Sequence, residues 1–190
     1  MGVVKLSTAG IRNYSKTSDF LSGNLPLSLA GGYDLLETTT LTSSASSISF
    51  TGLDTLAAGY KHLQIRMVAK AGGNAYLRLR FNNDLTNTLT RHYLSYSGGM
   101  ESGWEGTTRN YLDIDNISSN YFSPSVVDIL DFASQKNTTV RALTGGYSGT
   151  TQKITLTSGL WIDTSAITRL DILSTNAAQI GSRFSLYGRA

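Results

Sequence analysis

The side chains able to do chemistry are few and scattered. Two histidines, His62 and His92, each open a strand-like run. A zinc or non-haem iron centre needs a third protein ligand at suitable spacing, and neither H-x-H nor H-x-x-x-H occurs. Ser148 stands among glycines in Gly145 to Gly149 (GGYSG), but not at G-x-S-x-G spacing. Strand-like runs flank it, where a nucleophile elbow wants a strand-to-helix turn. Carboxylates could pair for glycoside hydrolysis. Asp113 and Asp115 would share one strand face, Asp128 and Asp131 straddle an apolar run, and Glu101 and Glu105 flank Trp104. The last set is the most inviting, because an aromatic between two acids in a Gly-rich loop can stack on a sugar. Asp113-Ile114-Asp115-Asn116 has some character of a calcium loop, but lacks the spaced glycine and distal glutamate of an EF-hand. No set is complete, so the expectation is no catalytic residue, no cofactor and no metal.

Composition points the same way. The chain has 190 residues, no cysteine, two prolines, nineteen glycines and only 15% charged residues. Serine and threonine make up roughly a quarter of it. The length suits one domain with a full core. The missing cysteine excludes disulfide staples, thiolate metal sites and cysteine nucleophiles. Sixteen Lys and Arg against thirteen Asp and Glu give +3. Arg78 and Arg80 are the densest basic pair and no phosphate-binding stripe exists, so no nucleic-acid partner is expected. No apolar run approaches the roughly twenty residues that cross a membrane, and no secretory signal opens the chain. Neither a membrane role nor export is expected.

The elements read as strands. His62 to Ala69 alternates Leu63, Ile65 and Met67 against Gln64, Arg66 and Val68. Tyr76 to Asn82 puts Leu77, Leu79 and Phe81 on one face, with Arg78, Arg80 and Asn82 on the other. Period two means one wet and one buried side. Gly72-Gly73-Asn74 between these runs reads as the turn of a hairpin, and Arg91 to Tyr96 as a third partner. Further runs are 33–42, 47–51, 125–132, 138–143, 152–163, 167–173 and 183–189. Within 152–163, Ile154, Leu156, Leu160 and Ile162 keep even parity. Residues 97–123 form a long polar stretch whose best helical candidate, 107–119, is crowded with Asn, Ser and Asp. Trp161 reads as core or subunit interface. Nine or ten short strands without crossover helices argue for an all-β, antiparallel, jelly-roll-like β-sandwich over residues 33–190.

Residues 1–32 differ. Leu6, Ile11, Tyr14, Phe20 and Leu21 are among too many apolar residues for a solvated tail, yet their spacing is irregular. The segment reads as an extended arm that packs on its own domain or docks on another subunit. Tyr96, Trp104, Tyr111 and Tyr121 belong to an aromatic stretch with Gly, Ser and Asn, a mixture that suits contact surfaces. With Arg78 and Arg80 they are the candidate recognition residues.

Taken together, several segments resemble one family. Gly59-Tyr60-Lys61-His62-Leu63-Gln64-Ile65-Arg66 and Leu79-Arg80-Phe81-Asn82-Asn83-Asp84 are similar to the "Y-K-H-L-x-I-R … L-R-F-N-x-D" stretch of small β-sandwich virion structural proteins of tailed bacteriophages. Val127 to Phe132, Lys136 to Arg141, Leu156 to Trp161 and the closing Phe184-Ser185-Leu186-Tyr187-Gly188 follow in the same order. One departure is Leu85 after the N-x-D, where the family often has an aromatic nearby. The resemblance implies a non-enzymatic protein on the virion exterior, as a capsid decoration or a head-fibre or tail-fibre component, assembled in the host bacterial cytoplasm. It implies a homo-oligomer, as a trimer, with phage capsid, collar or tail proteins as partners. A carbohydrate-binding or host-receptor-binding module for a surface glycan is the alternative.

Overall fold

The computed structural model describes residues 32–147 and 152–189. Among them are β1 (Asp34–Thr40), β2 (Ala45–Thr51), α1 (Leu53–Leu56), β3 (His62–Ala69), β4 (Ala75–Phe81), β5 (Leu89–Tyr96) and β6 (Met100–Arg109). The chain continues through β7 (Leu112–Ile117), β8 (Ser123–Leu130), β9 (Thr138–Tyr147), β10 (Gln152–Trp161), β11 (Arg169–Ala178) and β12 (Arg183–Arg189). The expected all-β sandwich is present. One sheet runs β1-β12-β3-β8-β9-β10-β5-β6 and the other β2-β11-β4-β7, with every pairing antiparallel.

The connectivity is that of a jelly roll with two additions. β1 pairs with β12, β2 with β11, β3 with β8 and β4 with β7. These partners are the two arms of one long antiparallel ribbon, folded back on itself and wound into two layers. Pairing of β12 with β3 and of β11 with β4 closes the winding. Into this eight-strand roll are inserted two hairpins, β5–β6 between β4 and β7, and β9–β10 between β8 and β11. The hairpins pair with each other through β10 and β5, and they extend the large sheet beyond β8.

The core lies between the layers. Leu63, Ile65, Met67, Val127, Ile129, Phe184 and Leu186 of the large sheet meet Ile48, Phe50, Leu77, Leu79, Phe81, Leu170 and Ile172 of the small one, all buried. The alternation expected in β3 and β4 is therefore observed. Their expected hairpin is not. Gly72-Gly73-Asn74 carries the chain from the large sheet to the small one, so β3 and β4 lie in different layers. Arg91 to Tyr96 pairs with β10 and β6 instead of β4. The polar stretch 97–123 contains β6 and β7, and its helical candidate is strand. Trp161 is core: its ring packs 5.2 Å from that of Phe81 and its indole N–H donates to Thr88 Oγ1 at 3.1 Å.

The quoted sequence motifs are devices that pin the roll. Asn82 and Asn83 take left-handed φ of 49° and 52°, a conformation asparagine tolerates better than most residues. The Asn82 side chain then accepts from the Thr168 N–H at 2.8 Å and donates to Ala166 O at 3.0 Å, fixing where β11 starts. Asp84 accepts from the Thr86 N–H at 2.8 Å and the Thr88 hydroxyl at 2.9 Å, and Thr88 in turn holds Trp161. At the other end Tyr60 lies flat against Gly188, where an added Cβ would come within 2.6 Å of its ring. The Tyr60 hydroxyl donates to Asp34 at 3.0 Å, tying β1 to the same corner. Gly188→Ala must push the ring off a closed corner. It should lower stability by about 1–3 kcal/mol, read as a fall in melting temperature with the β-sheet circular dichroism spectrum retained.

Candidate functional site

The added strands carry an unusual division of polarity. In β10 the even residues, whose alternation marks them as the apolar set, point outward. Thr155, Thr157, Gly159 and Trp161 point inward and are buried. The same inversion runs across the sheet. An inward row passes in register from Ser125 to Thr144, Thr155, Ser95 and Glu101. The neighbouring outward row passes from Arg66 to Val126, Leu143, Leu156, Leu94 and Ser102. The hydroxyls are thus inside and the aliphatic side chains outside.

Each face has a physical correlate. Inside, a cleft of about 260 Å³ opens between the layers, lined by Asn74, Asn116 and Ser118 on one side and Ser123, Gly146 and Lys153 on the other. The hydroxyls of Ser95, Ser123 and Thr155 lie near it without a hydrogen-bond partner in the protein, and such a polar space has room for solvent. Outside, Val126, Leu94, Leu143, Leu156 and Ile154 are 37% to 53% exposed. Tyr96, Met100 and Trp104 continue the same face along β5 and β6. A contiguous apolar patch of this kind marks an interaction surface far more strongly than single exposed residues do.

The sequence-derived recognition residues do not form one site. Tyr96 and Trp104 are on the outer apolar face, Trp104 packing edge-on against His92 with centroids 6.2 Å apart. Arg78 and Arg80 are half-buried on the outer side of the small sheet and engaged internally. Arg78 Nε donates to Asp113 at 2.8 Å and Arg80 Nε to the Asn110 carbonyl at 3.2 Å. Tyr111 is half-buried beside the guanidiniums of Arg78 and Arg109, at 3.9 and 5.4 Å from the ring centroid. Tyr121 sits at the cleft end, its ring 5.1 Å from that of Tyr147. The docking residues Leu6, Ile11, Tyr14, Phe20 and Leu21 lie outside the described residues.

Nor do the possible catalytic sets converge among the described side chains. His62 and His92 are on β3 and β5, with β8, β9 and β10 between them. His62 Nδ1 accepts from the Asp131 backbone N–H at 3.1 Å, a strand-end role. Glu101 faces inward beside Ser95, whereas Trp104 faces outward beside His92, so acid and aromatic do not share a platform. Asp128 accepts from Gln64 on the outer face, while Asp131 turns at the end of β8 with φ of 56°. Among the described residues no three His, Asp or Glu side chains gather to hold a metal. Ser148 lies outside the described residues, but the strands on either side of it pair as a hairpin, Tyr147 opposite Gln152.

Asp113 is the centre of a charge cluster that sequence reading missed. Its buried carboxylate meets Arg78 Nε at 2.8 Å, Arg91 Nη1 at 3.2 Å and Arg109 Nη1 at 3.8 Å. Arg91 reaches it from the inserted hairpin, so the cluster fastens β5–β6 to the edge of the small sheet. Losing one partner from a buried charge cluster leaves the others uncompensated. Asp113→Asn should therefore cost about 3 kcal/mol, measured by urea unfolding, with Arg80→Ala as a mild comparison.

Comparison with family models, curated proteins and solved structures found no match.

Two half-buried carboxylates give the fold an acid limit. The Lys136 ammonium, at 2.6 Å, holds Asp131 below its ordinary value, with His62 and Lys61 adding to the effect. Burial alone would raise Asp84, but hydrogen bonds from Thr86 and Thr88 outweigh it and the carboxyl lies below its ordinary value. A depressed carboxylate stabilises the fold fully above its unfolded value and loses that contribution as pH falls through the folded one. Melting temperature should be flat from pH 7 to about 5 and fall below about pH 4. Asp131→Asn should lower the neutral plateau and flatten the acid slope.

Proposed function

We propose that this chain is a non-enzymatic structural protein of a bacteriophage particle. It sits on the exterior as a capsid decoration or as a component of a head or tail fibre, and works as a homo-oligomer anchored by residues 1–32. The observation that carries the reading is the outer face of the inserted strands. The eight-strand roll already has its own core, and the additional strands build an apolar surface beyond it. That is what a protein needs whose work is to hold surfaces together.

The order-preserving motif resemblance supports the same reading. Tyr60, Asn82, Asp84 and Gly188 all pin the roll, so the resemblance rests on residues that specify the fold. Low charge and many hydroxyls suit strand faces and wet interfaces. The lack of cysteine means that the fold relies on packing and pairing in any redox compartment.

A second reading, a module that binds a host surface glycan, has one observation in its favour: Trp104, 67% exposed on the outer face. A glycan array on the wild-type protein and on Trp104→Ala separates the two. Trp104-dependent binding would favour the glycan module.

The assembly reading has its own test. Deleting residues 1–30 should leave the β-sheet spectrum and melting curve of the sandwich intact, yet keep the protein from entering particles, scored by mass spectrometry of purified phage. Normal incorporation of the truncated chain would refute the anchor. Absence of the intact chain from purified particles would refute the virion assignment.

A further inference from the structure

We infer that the outer face of the inserted hairpins is where a second copy of this chain docks, burying Val126, Leu143, Leu156, Leu94, Ile154 and Tyr96. The inference rests on the assembly reading above and names the surface that it uses.

Polarity is the first argument. A sheet with one dry and one wet side normally turns its aliphatic residues toward its own core. Here Ser125, Thr144, Thr155 and Ser95 take the inward positions, and the aliphatics next to them along each strand point outward. The strands are patterned for a dry partner on the side away from their own core.

Area is the second. A standard interface buries about 800 Å² on each partner. The six residues named, with Met100 and Trp104 beside them, are large side chains left between 37% and 68% exposed. Eight such side chains supply roughly that area.

Charge arrangement is the third. No charged residue lies within the row Val126, Leu143, Leu156 and Leu94. The next outward row brings Asp128 opposite Arg141 at the border. Neighbouring charges of opposite sign at this border let it face the same border of a second copy without net repulsion. An uncharged centre with a charged rim is also the usual anatomy of such surfaces.

The aliphatic character of the patch argues against a glycan as its main occupant. Toward β1, at the opposite edge of the large sheet, the outward row changes character. Polar Thr38, Ser185 and Arg66 occupy the same outward row on that side, before the patch begins at Val126.

Sedimentation velocity on the full chain tests this directly. Wild type should sediment as a discrete oligomer, and Leu143→Glu with Leu156→Glu should fall to the 20.5 kDa of one chain with an unchanged circular dichroism spectrum. A monomeric wild type, or a double variant that keeps the wild-type mass, overturns the inference.

Because the chain has no cysteine, single nitroxide labels give a second measurement that does not depend on the double variant folding. A label at Leu94→Cys should show intermolecular dipolar coupling, and one at Ser47→Cys, exposed on the small sheet, should show none. Coupling at both sites or at neither sinks the idea. A monomeric chain that still enters particles refutes this surface and spares the virion assignment. An oligomer that never enters particles does the reverse.

Discussion

The fold depends on one pairing constraint: a single antiparallel ribbon is wound so that each of its two arms contributes strands to both layers. β1 with β12 and β3 with β8 fall in the large sheet, β2 with β11 and β4 with β7 in the small one. Every core side chain of the roll is buried because the winding brings these layers face to face. The local devices serve the winding. Asn82 fixes where β11 begins, Asp84 and Thr88 seat Trp161, and Tyr60 closes the corner against Gly188. Each acts at a point where the chain changes layer or a strand ends, since elsewhere the ladder and the core hold register by themselves.

The inserted hairpins obey a different logic. They extend the large sheet past the strands of the roll. Asp113 and its arginines lock β5–β6 to β7, a polar fastening at a place where the small sheet ends. Beyond that fastening the layers leave a hydroxyl-lined cleft, and the apolar residues turn to the opposite side. Structural duty and surface duty are therefore carried by different strands of one continuous sheet.

Much of the roll was legible in the sequence and much of the surface was not. Period-two alternation in β3 and β4 identifies strands and their buried faces. It says nothing about partners, and the Gly72-Gly73-Asn74 turn looks the same whether it closes a hairpin or crosses between layers. The ribbon partner of β1 lies at the other end of the described chain, where local signals cannot point. β7 was hidden because Asp113 and Asn116 lower its strand propensity, and tertiary pairing with Arg78 overrides that deficit. The parity of Ile154 and Leu156 was plain. Which side of the sheet that parity faces is decided by where the small sheet ends, a fact of three-dimensional packing alone.

The winding also dictates an order of events during synthesis. β12 lies between β1 and β3 in the large sheet, so β1 has no partner, and β3 has only β8, until residues 183–189 have left the ribosome. The two inserted hairpins need only partners close in sequence and can form much earlier. The nascent chain therefore carries its sticky outer strands before its own layers have closed. Such an intermediate is exposed to aggregation, and slow completion of the last strand would lengthen its life. A fold of this kind gains from translation that finishes quickly, and from a chaperone or a partner copy that waits near the exit.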